Sequence, residues 1–236
     1  MLLYEFDISR IIQVYIVQLG MGIFYFFIGL VILKRDTKRL NQLFATFYIL
    51  AASAAIVNVI YASIFINLAV RILHFLTYFL FCFAIVYLLI FNQIILKSEK
   101  IFTIKKHNII AGTYGALLFV LILIPGGITI NKSTDWKPVW SLPFLIYALI
   151  VISCAIIPTT YFSIQVYREL EDKIVKKKWA FYILATLIYF AILYLASISN
   201  YLNDPTFRLI TSIAGLSLFA TAYLLYYGVG RQLKSK

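Results

Sequence analysis

The sequence has few charged residues and few groups that bind metals. Of its 236 residues only 13% are charged; nine residues are acidic, two are histidines and two are cysteines. An ordinary soluble domain carries about 25% charged residues. Hydrophobic residues make up 63% of the chain. This composition excludes a soluble globular domain of the usual kind, and we predict an integral membrane protein.

The scarce cysteines and histidines indicate structural roles. Cys82 and Cys154 both fall inside apolar stretches, where a thiol behaves as a small hydrophobic group, and we predict two free thiols without a redox role. His74 and His107 fall near the starts of consecutive predicted helices, which begin on opposite sides of the membrane. This separation excludes a metal or haem site built from both histidines, and we predict no cofactor.

Several signatures of membrane enzymes, pumps and receptors are missing. No Asp or Glu lies deep within an apolar stretch, which argues against a proton pump that uses an intramembrane carboxylate. The last stretch has no lysine for a retinal Schiff base, and the signatures of G-protein-coupled receptors are absent. GxSxG and HExxH motifs are also absent. We therefore predict that the protein is not an enzyme.

Seven apolar stretches are long enough to cross a bilayer, because about 20 helical residues span its hydrocarbon core. Short segments connect them. We predict an all-α integral membrane protein whose single domain, residues 1–236, is a seven-transmembrane helix bundle. The predicted helices cover about 9–33, 41–66, 68–96, 107–129, 142–167, 179–201 and 205–229.

The basic residues predict the orientation of this bundle. With the N-terminus outside, the outer side carries Arg10, Arg71, Lys132, Lys137 and Arg208, and all the other Lys and Arg of the 21 face the cytoplasm. The positive-inside rule therefore predicts a multi-pass protein of the cell membrane, N-out and C-in. The net charge of +12 is interpreted as a sign of topology, and we predict no binding to nucleic acid.

Polar residues of several predicted helices lie towards the outer side. Arg71, His74, Tyr78 and Cys82 follow a helical spacing, so they share one face, which we expect to point into the bundle. If the polar faces converge, they form a wet cavity open to the outside, in which Arg71 or Arg208 receives a carboxylate or phosphate. The predicted ligand-binding residues are Asn58, Tyr61, Arg71, His74, Tyr78, Ser197, Asn200 and Arg208. Gln18, Asp204 and Ser212 are further polar residues of the same outer region.

A structural alternative explains the same residues without a ligand. Arg71 and Arg208 lie within a turn of their predicted helix starts, where both side chains can reach lipid headgroups. Asp204 then caps the last helix and pairs with Arg208. His74 alone is more often a hydrogen-bonded structural group than a ligand.

The predicted outer loop between the fourth and fifth helices contains two tryptophans. Trp136 and Trp140 flank Lys137-Pro138, and we favour an aromatic belt at the membrane interface over a ligand lid. Asn131 begins an Asn-Lys-Ser sequon on the predicted outer side, which makes it a candidate for glycosylation.

Small residues and one proline indicate how the helices pack. Gly20, Gly22 and Gly29 of the first helix and the alanine-rich segment 51–55 of the second permit close approach, either within the chain or in a homo-oligomer. Pro158 inside the fifth helix predicts a kink, with Thr159 and Thr160 available to satisfy the freed backbone.

The layout resembles the seven-helix N-terminal sensor region of prokaryotic membrane histidine kinases. The shared features are the N-out start, the basic loop KRDTKR after the first helix, the outer loop with Trp136 and Trp140, and the run from Tyr226-Tyr227-Gly228 into a basic tail. The resemblance implies sensing of a small or lipidic ligand from outside. In that family the last helix continues into kinase domains, whereas this sequence ends at Lys236, so we expect a stand-alone module.

Three hypotheses of function follow from these patterns. In the first, the chain is a receptor-like sensor: ligand binding shifts the last two helices around Pro158 and alters basic inner loops contacted by a cytoplasmic partner. In the second it is a small-molecule carrier, against which stands the lack of detectable inverted repeats. In the third it is a scaffold subunit that needs no ligand. Membrane lipids are the only partners common to all three.

Overall fold

The computed structural model describes residues 8–35 and 38–230. Within them, seven helices are long and apolar enough to cross a membrane, which confirms the predicted all-α, multi-pass architecture. The basic residues of the tail lie outside the described residues. The helices are α1 (Ile8–Leu33), α2 (Arg39–Ala62), α3 (Asn67–Ile101), α4 (Ile104–Leu123), α5 (Leu142–Glu169), α6 (Lys173–Leu202) and α7 (Pro205–Gly230). Two short antiparallel strands, β1 (Ile128–Thr129) and β2 (Val139–Trp140), form a hairpin between α4 and α5.

The helices alternate in direction, so the bundle has two distinct ends. At the hairpin end, α1, α3, α5 and α7 begin, and the β1–β2 hairpin lies there. At the basic end, α2, α4 and α6 begin, next to most of the lysines and arginines. These two names are used below without reference to the sides of a membrane.

Four predicted helix bounds are wrong. The third helix continues to Ile101 rather than ending near 96, and the sixth begins at Lys173 rather than near 179. The second helix stops at Ala62 rather than near 66, and the fourth stops at Leu123 rather than near 129. In the last two places the apolar run continues through the turn, so hydropathy alone does not reveal where the helix ends. After α4 the chain passes through Pro125 and through Gly126, whose φ of 64° suits glycine, and then enters β1.

Close packing of α1 against α2 follows from small residues, as predicted. A Cβ added at Gly22 would lie 3.0 Å from Ile56 Cγ1, and one at Gly29 would lie 3.0 Å from Ile49 Cγ1. Larger side chains at either glycine would push the helices apart. Gly20 instead faces Phe219 of α7.

The centre of the bundle is filled by rings from α1, α2, α3 and α6. The Tyr25 hydroxyl donates to the Leu218 carbonyl at 3.2 Å, and that of Tyr48 donates to the Ala222 carbonyl at 2.8 Å. These bonds satisfy phenols that would be costly to bury without a partner. We call the set the aromatic core: Tyr25, Phe44, Phe47, Tyr48, Phe91, Tyr182 and Tyr189, all fully buried or nearly so.

The membrane helices α1 and α7 are irregular where they meet. Residues Ile11–Gln18 of α1 wind as a π-helix, a rare form that often occurs at functional sites. In α7 the regular α-helical hydrogen bonding breaks at Leu216, between Pro205–Gly215 and Ser217–Leu225, while the backbone there keeps helical angles, with φ −59° and ψ −26°. The Ser217 hydroxyl donates to the Ala214 carbonyl at 2.7 Å, which satisfies one backbone group at the break.

The two irregular segments face each other. A Cβ added at Gly215 of α7 would lie 3.2 Å from Val17 Cγ1 and 3.4 Å from Gln13 Oε1, both in the π-helical part of α1. The break in α7 therefore packs directly on the irregular part of α1.

No break occurs at Pro158, where we predicted a kink. α5 continues as helix from Leu142 to Glu169, and the Thr159 hydroxyl donates to the Ala155 carbonyl at 2.6 Å beside the proline. A backbone departure lies instead in α3 at Ser98, whose φ is 66°. A hinge at Pro158 stays a prediction.

Candidate functional site

A partly enclosed cavity of about 170 Å³ lies at the hairpin end. Residues of α1, α2, α3, α6 and α7 line it, and residues 136–138 of the hairpin loop contribute to its wall. Seven of the eight residues predicted to bind a ligand line this cavity: Asn58, Tyr61, His74, Tyr78, Ser197, Asn200 and Arg208. The packing of five helices thus brings together polar side chains that are distant in sequence.

Arg71 is the exception, because it is exposed and is not among the lining residues. We expected it to share the inward face of His74. Three residues along an α-helix turn the side chain by about 300°, which leaves Arg71 about 60° away from His74 around the helix axis. Near the end of the bundle that offset is enough to move its guanidinium out of the site.

His74 is held by hydrogen bonds on both ring nitrogens. The Trp140 indole N–H donates to His74 Nε2 at 3.0 Å, and His74 Nδ1 lies 3.1 Å from the Tyr61 hydroxyl oxygen. Since an indole nitrogen can only donate, Nε2 must be unprotonated, and Nδ1 carries the proton and donates to Tyr61. The Tyr61 O–H then remains as a donor for another acceptor.

Trp140 does not anchor the protein at a lipid interface, so that interpretation is wrong for this residue. Its side chain is only 2% exposed. Its ring packs edge-on against Tyr78 at 4.9 Å and against Phe144 at 4.7 Å. Sequence analysis missed this role because a tryptophan in a loop between two membrane helices is typical of both the interface and a buried cap.

The hydroxyls of Tyr78 and Ser197 join α3 to α6. Ser197 Oγ donates to the Leu193 carbonyl at 2.8 Å, which uses its hydrogen. The 3.3 Å contact between the two hydroxyls is therefore donated by Tyr78. Both side chains are buried and line the cavity.

Arg10 is a lining residue that we did not single out from the sequence. Its Nη2 donates to the Ala62 carbonyl at 2.5 Å, at the end of α2, and its Nη1 donates to the Asp135 carbonyl at 3.3 Å. One side chain thus ties α1 to α2 and to the hairpin loop. A lone arginine at the start of an apolar stretch gives no signal that separates this role from contact with headgroups.

Arg208 makes a similar link from α7. Its Nη2 donates to the Pro138 carbonyl at 2.6 Å and to Asn203 Oδ1 at 3.0 Å. Asp204 caps α7, as predicted, by accepting from the Phe207 N–H at 2.7 Å.

Three buried oxygens that line the cavity have no hydrogen-bond partner among the described residues. They are Gln13 Oε1, Gln18 Oε1 and Thr77 Oγ1. In an α-helix, residues 13 and 18 would point about 140° apart. The π winding of Ile11–Gln18, with bonds from i to i+5, brings them to one face. An analysis based on 3.6 residues per turn could not find this pairing.

The floor of the cavity is the aromatic core. Tyr189 lines the cavity and packs edge-on against Phe47 at 5.4 Å, and its hydroxyl donates to the Phe81 carbonyl at 3.2 Å. Below these rings the centre is filled, so the cavity does not continue to the basic end within the part of the chain that the structure describes.

Asn131 lies in the hairpin loop and is half-buried. Its Oδ1 accepts from the Ser133 N–H at 2.9 Å, the Ser133 hydroxyl at 2.7 Å and the Thr134 N–H at 3.2 Å. These bonds form a capping box for the short turn Lys132–Thr134. Its glycosylation stays a prediction.

No family model, curated protein or solved structure matches this chain. The resemblance to histidine kinase sensor regions stays a prediction, and the functional interpretation rests on the geometry of the site.

Proposed function

We propose that the chain is a receptor-like membrane sensor module that binds a small ligand in the cavity at the hairpin end and signals to a separate cytoplasmic partner at the basic end. The distribution of Lys and Arg supports an N-out, C-in orientation in the cell membrane, with the cavity facing outwards. The observation that carries the proposal is a cavity of about 170 Å³ lined by buried oxygens that no described residue satisfies.

Such a cavity is costly unless something occupies it. Protein interiors hold few voids larger than a water molecule. Each buried polar atom left without a partner costs about 1–3 kcal/mol, and Gln13, Gln18 and Thr77 each contribute one. Hydrogen bonds to a ligand, or to water while the ligand is absent, would recover this free energy. We therefore interpret the cavity as a binding site rather than a packing defect.

The aromatic core offers a physical connection from the cavity towards the basic end. Tyr189 at the floor contacts Phe47, whose ring lies 5.3 Å from that of Tyr48, and Tyr48 donates to the Ala222 carbonyl of α7. A ligand that displaces the floor would act on α7 through these contacts. Because packed rings adopt discrete arrangements, a small shift can be passed on as a change of state.

At the basic end, α7 is in close contact with α6. A Cβ added at Gly228 would lie 2.7 Å from the Lys178 carbonyl oxygen, so the two backbones touch. A shift of α7 would therefore move the start of α6, which carries Lys176, Lys177 and Lys178. These lysines belong to the basic inner loops that we propose as the partner's contact surface.

One observation favours a carrier as the second candidate. The irregular parts of α1 and α7 face each other beside the cavity, and interrupted helices commonly line the binding sites of secondary transporters. The filled aromatic core opposes this function, since a carrier must open a path through it. A scaffold subunit would need no cavity.

The experiment is a fragment screen on the purified full-length protein in lipid nanodiscs, read by thermal unfolding. Ala196 lines the cavity, whereas Ala191 is exposed on the same helix. We expect hits to stabilise the wild type and Ala191→Phe, but not Ala196→Phe, whose ring fills the cavity. Hits that stabilise all three proteins equally would contradict a ligand site in the cavity.

Hits then separate the candidate functions. A sensor is expected to change which cytoplasmic proteins co-purify with it from native membranes when a hit is added, and to move no hit across liposome membranes. A carrier would show uptake of the hit into liposomes that Ala196→Phe abolishes. That result would replace the sensor by the carrier.

A further inference from the structure

The described lining of the cavity carries charge of one sign. Arg10, Lys137 and Arg208 contribute cationic side chains, and none of the described lining residues is an aspartate or glutamate. In a partly enclosed site of low polarity, this arrangement attracts an anion and repels a cation. The part of the lining that the structure describes therefore favours an anion over a cation.

Arg10 donates to neutral acceptors that a charged ligand could replace, the main-chain carbonyls of Ala62 and Asp135. Bonds from a guanidinium to a carboxylate or phosphate are roughly twice as strong as those to neutral oxygens. Because each guanidinium has five N–H donors, an anion can be bound with only part of these contacts exchanged.

Deeper in the cavity the lining calls for a hydrogen-bond donor on the ligand. Gln18 and Thr77 are only 5% and 4% exposed, and Gln18 Oε1 and Thr77 Oγ1 have no partner among the described residues. An amide oxygen only accepts, so its complement is an O–H or N–H donor. A neutral donor suits this site, because the described lining provides no carboxylate for an ammonium.

The size and walls of the cavity limit what can carry these groups. Its volume of about 170 Å³ is close to that of a cavity of about 150 Å³ that holds one benzene molecule. Tyr61, Tyr78, Phe81 and Tyr189 supply aromatic surface. One ring, or an apolar group of similar size, fits between the anionic group and the donor.

We infer that the ligand class of the proposed sensor site is a small organic anion of about one ring, with its carboxylate or phosphate at Arg10 and a neutral hydroxyl or N–H at Gln18. This inference rests on the proposed function. A free metabolite and the headgroup of an anionic lipid share this chemistry, and the experiment below separates them.

The test measures binding of four matched probes to the full-length protein in phosphatidylcholine nanodiscs by calorimetry. The probes are 4-hydroxybenzoate, benzoate, 4-hydroxybenzamide and 4-hydroxybenzylamine. We expect 4-hydroxybenzoate to bind best, benzoate about tenfold more weakly for lack of the donor, the amide more weakly still, and the amine not at all. This order is measured on the wild type, so it does not depend on any variant folding.

Variants locate the charge contact. We expect Arg10→Gln to lower the affinity for 4-hydroxybenzoate by about tenfold to a hundredfold, the usual range for a hydrogen bond to a charged group. The affinity for the amide should change little. Arg71→Gln is the matched control, because Arg71 is exposed at the same end of the bundle but does not line the cavity. Its affinity for all four probes should equal that of the wild type.

Added phosphatidylglycerol in the nanodiscs distinguishes the sources of the anion. If a lipid headgroup is the natural ligand, the lipid competes and 4-hydroxybenzoate binds more weakly; if the ligand is a free metabolite, its affinity is unchanged. Either result is compatible with the inferred class.

If the amide or the amine binds as tightly as 4-hydroxybenzoate or more tightly, the inferred ligand class is wrong, although the cavity remains a ligand site. Loss of binding in Arg71→Gln but not in Arg10→Gln would also overturn it. If none of the four probes binds, the class is wrong; if the fragment screen is also empty, the proposed function fails with it.

Discussion

In the half of the bundle nearer the basic end, the buried Asn92 amide makes three hydrogen bonds, whereas in the half nearer the hairpin end the Gln18 amide oxygen makes none among the described residues. Asn92 Nδ2 donates to the Thr159 carbonyl at 3.1 Å and to Ser163 Oγ at 2.7 Å, and its Oδ1 accepts from Tyr182 at 2.8 Å. Both amides lie in apolar helices, so their chemistry alone does not distinguish them.

The difference teaches which buried polar groups indicate a binding site. The Asn92 network links α3, α5 and α6 and uses both N–H donors and the carbonyl oxygen of this amide, which is typical of a structural role. The oxygens at the hairpin end face a cavity and lack described partners, which is typical of groups that bind a ligand or water. Four substitutions test this comparison, from the largest expected effect to the smallest.

The tightest backbone contact is at the basic end, where Gly228 faces α6. We expect Gly228→Ala to lower the free energy of unfolding by about 3 kcal/mol, at the upper end of the usual cost of overpacking, because the added Cβ would lie 2.7 Å from the Lys178 carbonyl oxygen and 2.9 Å from the Tyr182 nitrogen. Neither atom can move without its helix. Denaturation in detergent micelles measures the change.

The control is Gly112→Ala in α4, where an added Cβ meets nothing within 4 Å. Its stability should be unchanged or slightly raised, since alanine favours helix more than glycine does. Equal losses in both variants would show that the Gly228 contact is not the cause.

Asn92→Leu breaks the structural network with little change in volume. We expect it to cost about 2 kcal/mol, because it leaves the Tyr182 hydroxyl and Ser163 without this buried partner. The same denaturation measurement applies. Binding of cavity ligands should be retained at temperatures where the variant is folded, since Asn92 does not line the cavity.

Gln18→Met makes the matching change at the hairpin end. We expect it to raise the free energy of unfolding by about 1 kcal/mol, because it removes a buried oxygen that has no described partner. It should also lower the affinity for 4-hydroxybenzoate to about that for benzoate. A loss of stability as large as that of Asn92→Leu would erase the contrast between the two halves.

Arg71→Gln is expected to have the smallest effect. Arg71 is exposed, and substitutions of exposed residues usually change stability by less than about 0.5 kcal/mol. Ligand affinity and co-purifying proteins should also be unchanged. A clear loss of signalling would restore Arg71 to the site from which its exposed position removes it.

Much of the fold could be predicted because it depends on local composition. The bounds of α1, α5 and α7 agree with the sequence within two residues, since each span begins or ends at charges or at proline. The end of α4 could not be predicted, because Ile128 and Thr129 are as apolar as a helix end but pair with β2. Its pairing with β2, rather than its own composition, decides that this segment is a strand.

The site was predictable in part for the same reason. Polar residues in apolar spans are few, so seven of the eight residues predicted to bind a ligand line one cavity. Arg71 lies outside the cavity and Arg10, which lines it, was missed, because both are arginines in the first turns of a span. Only the rotation of each helix about its axis in the bundle decides that Arg10 lines the cavity and Arg71 does not.

By itself, the sequence determined that the chain forms seven membrane helices, because each needs only a sufficient length of apolar residues, and it determined where the basic clusters lie. Only the tertiary structure decided which polar groups are satisfied. The π winding that aligns Gln13 with Gln18, and the contact of Trp140 with His74, arise from packing between helices. Hydrogen bonds between distant residues depend on positions that no local pattern contains, and they distinguish the structural half of this bundle from the half with the cavity.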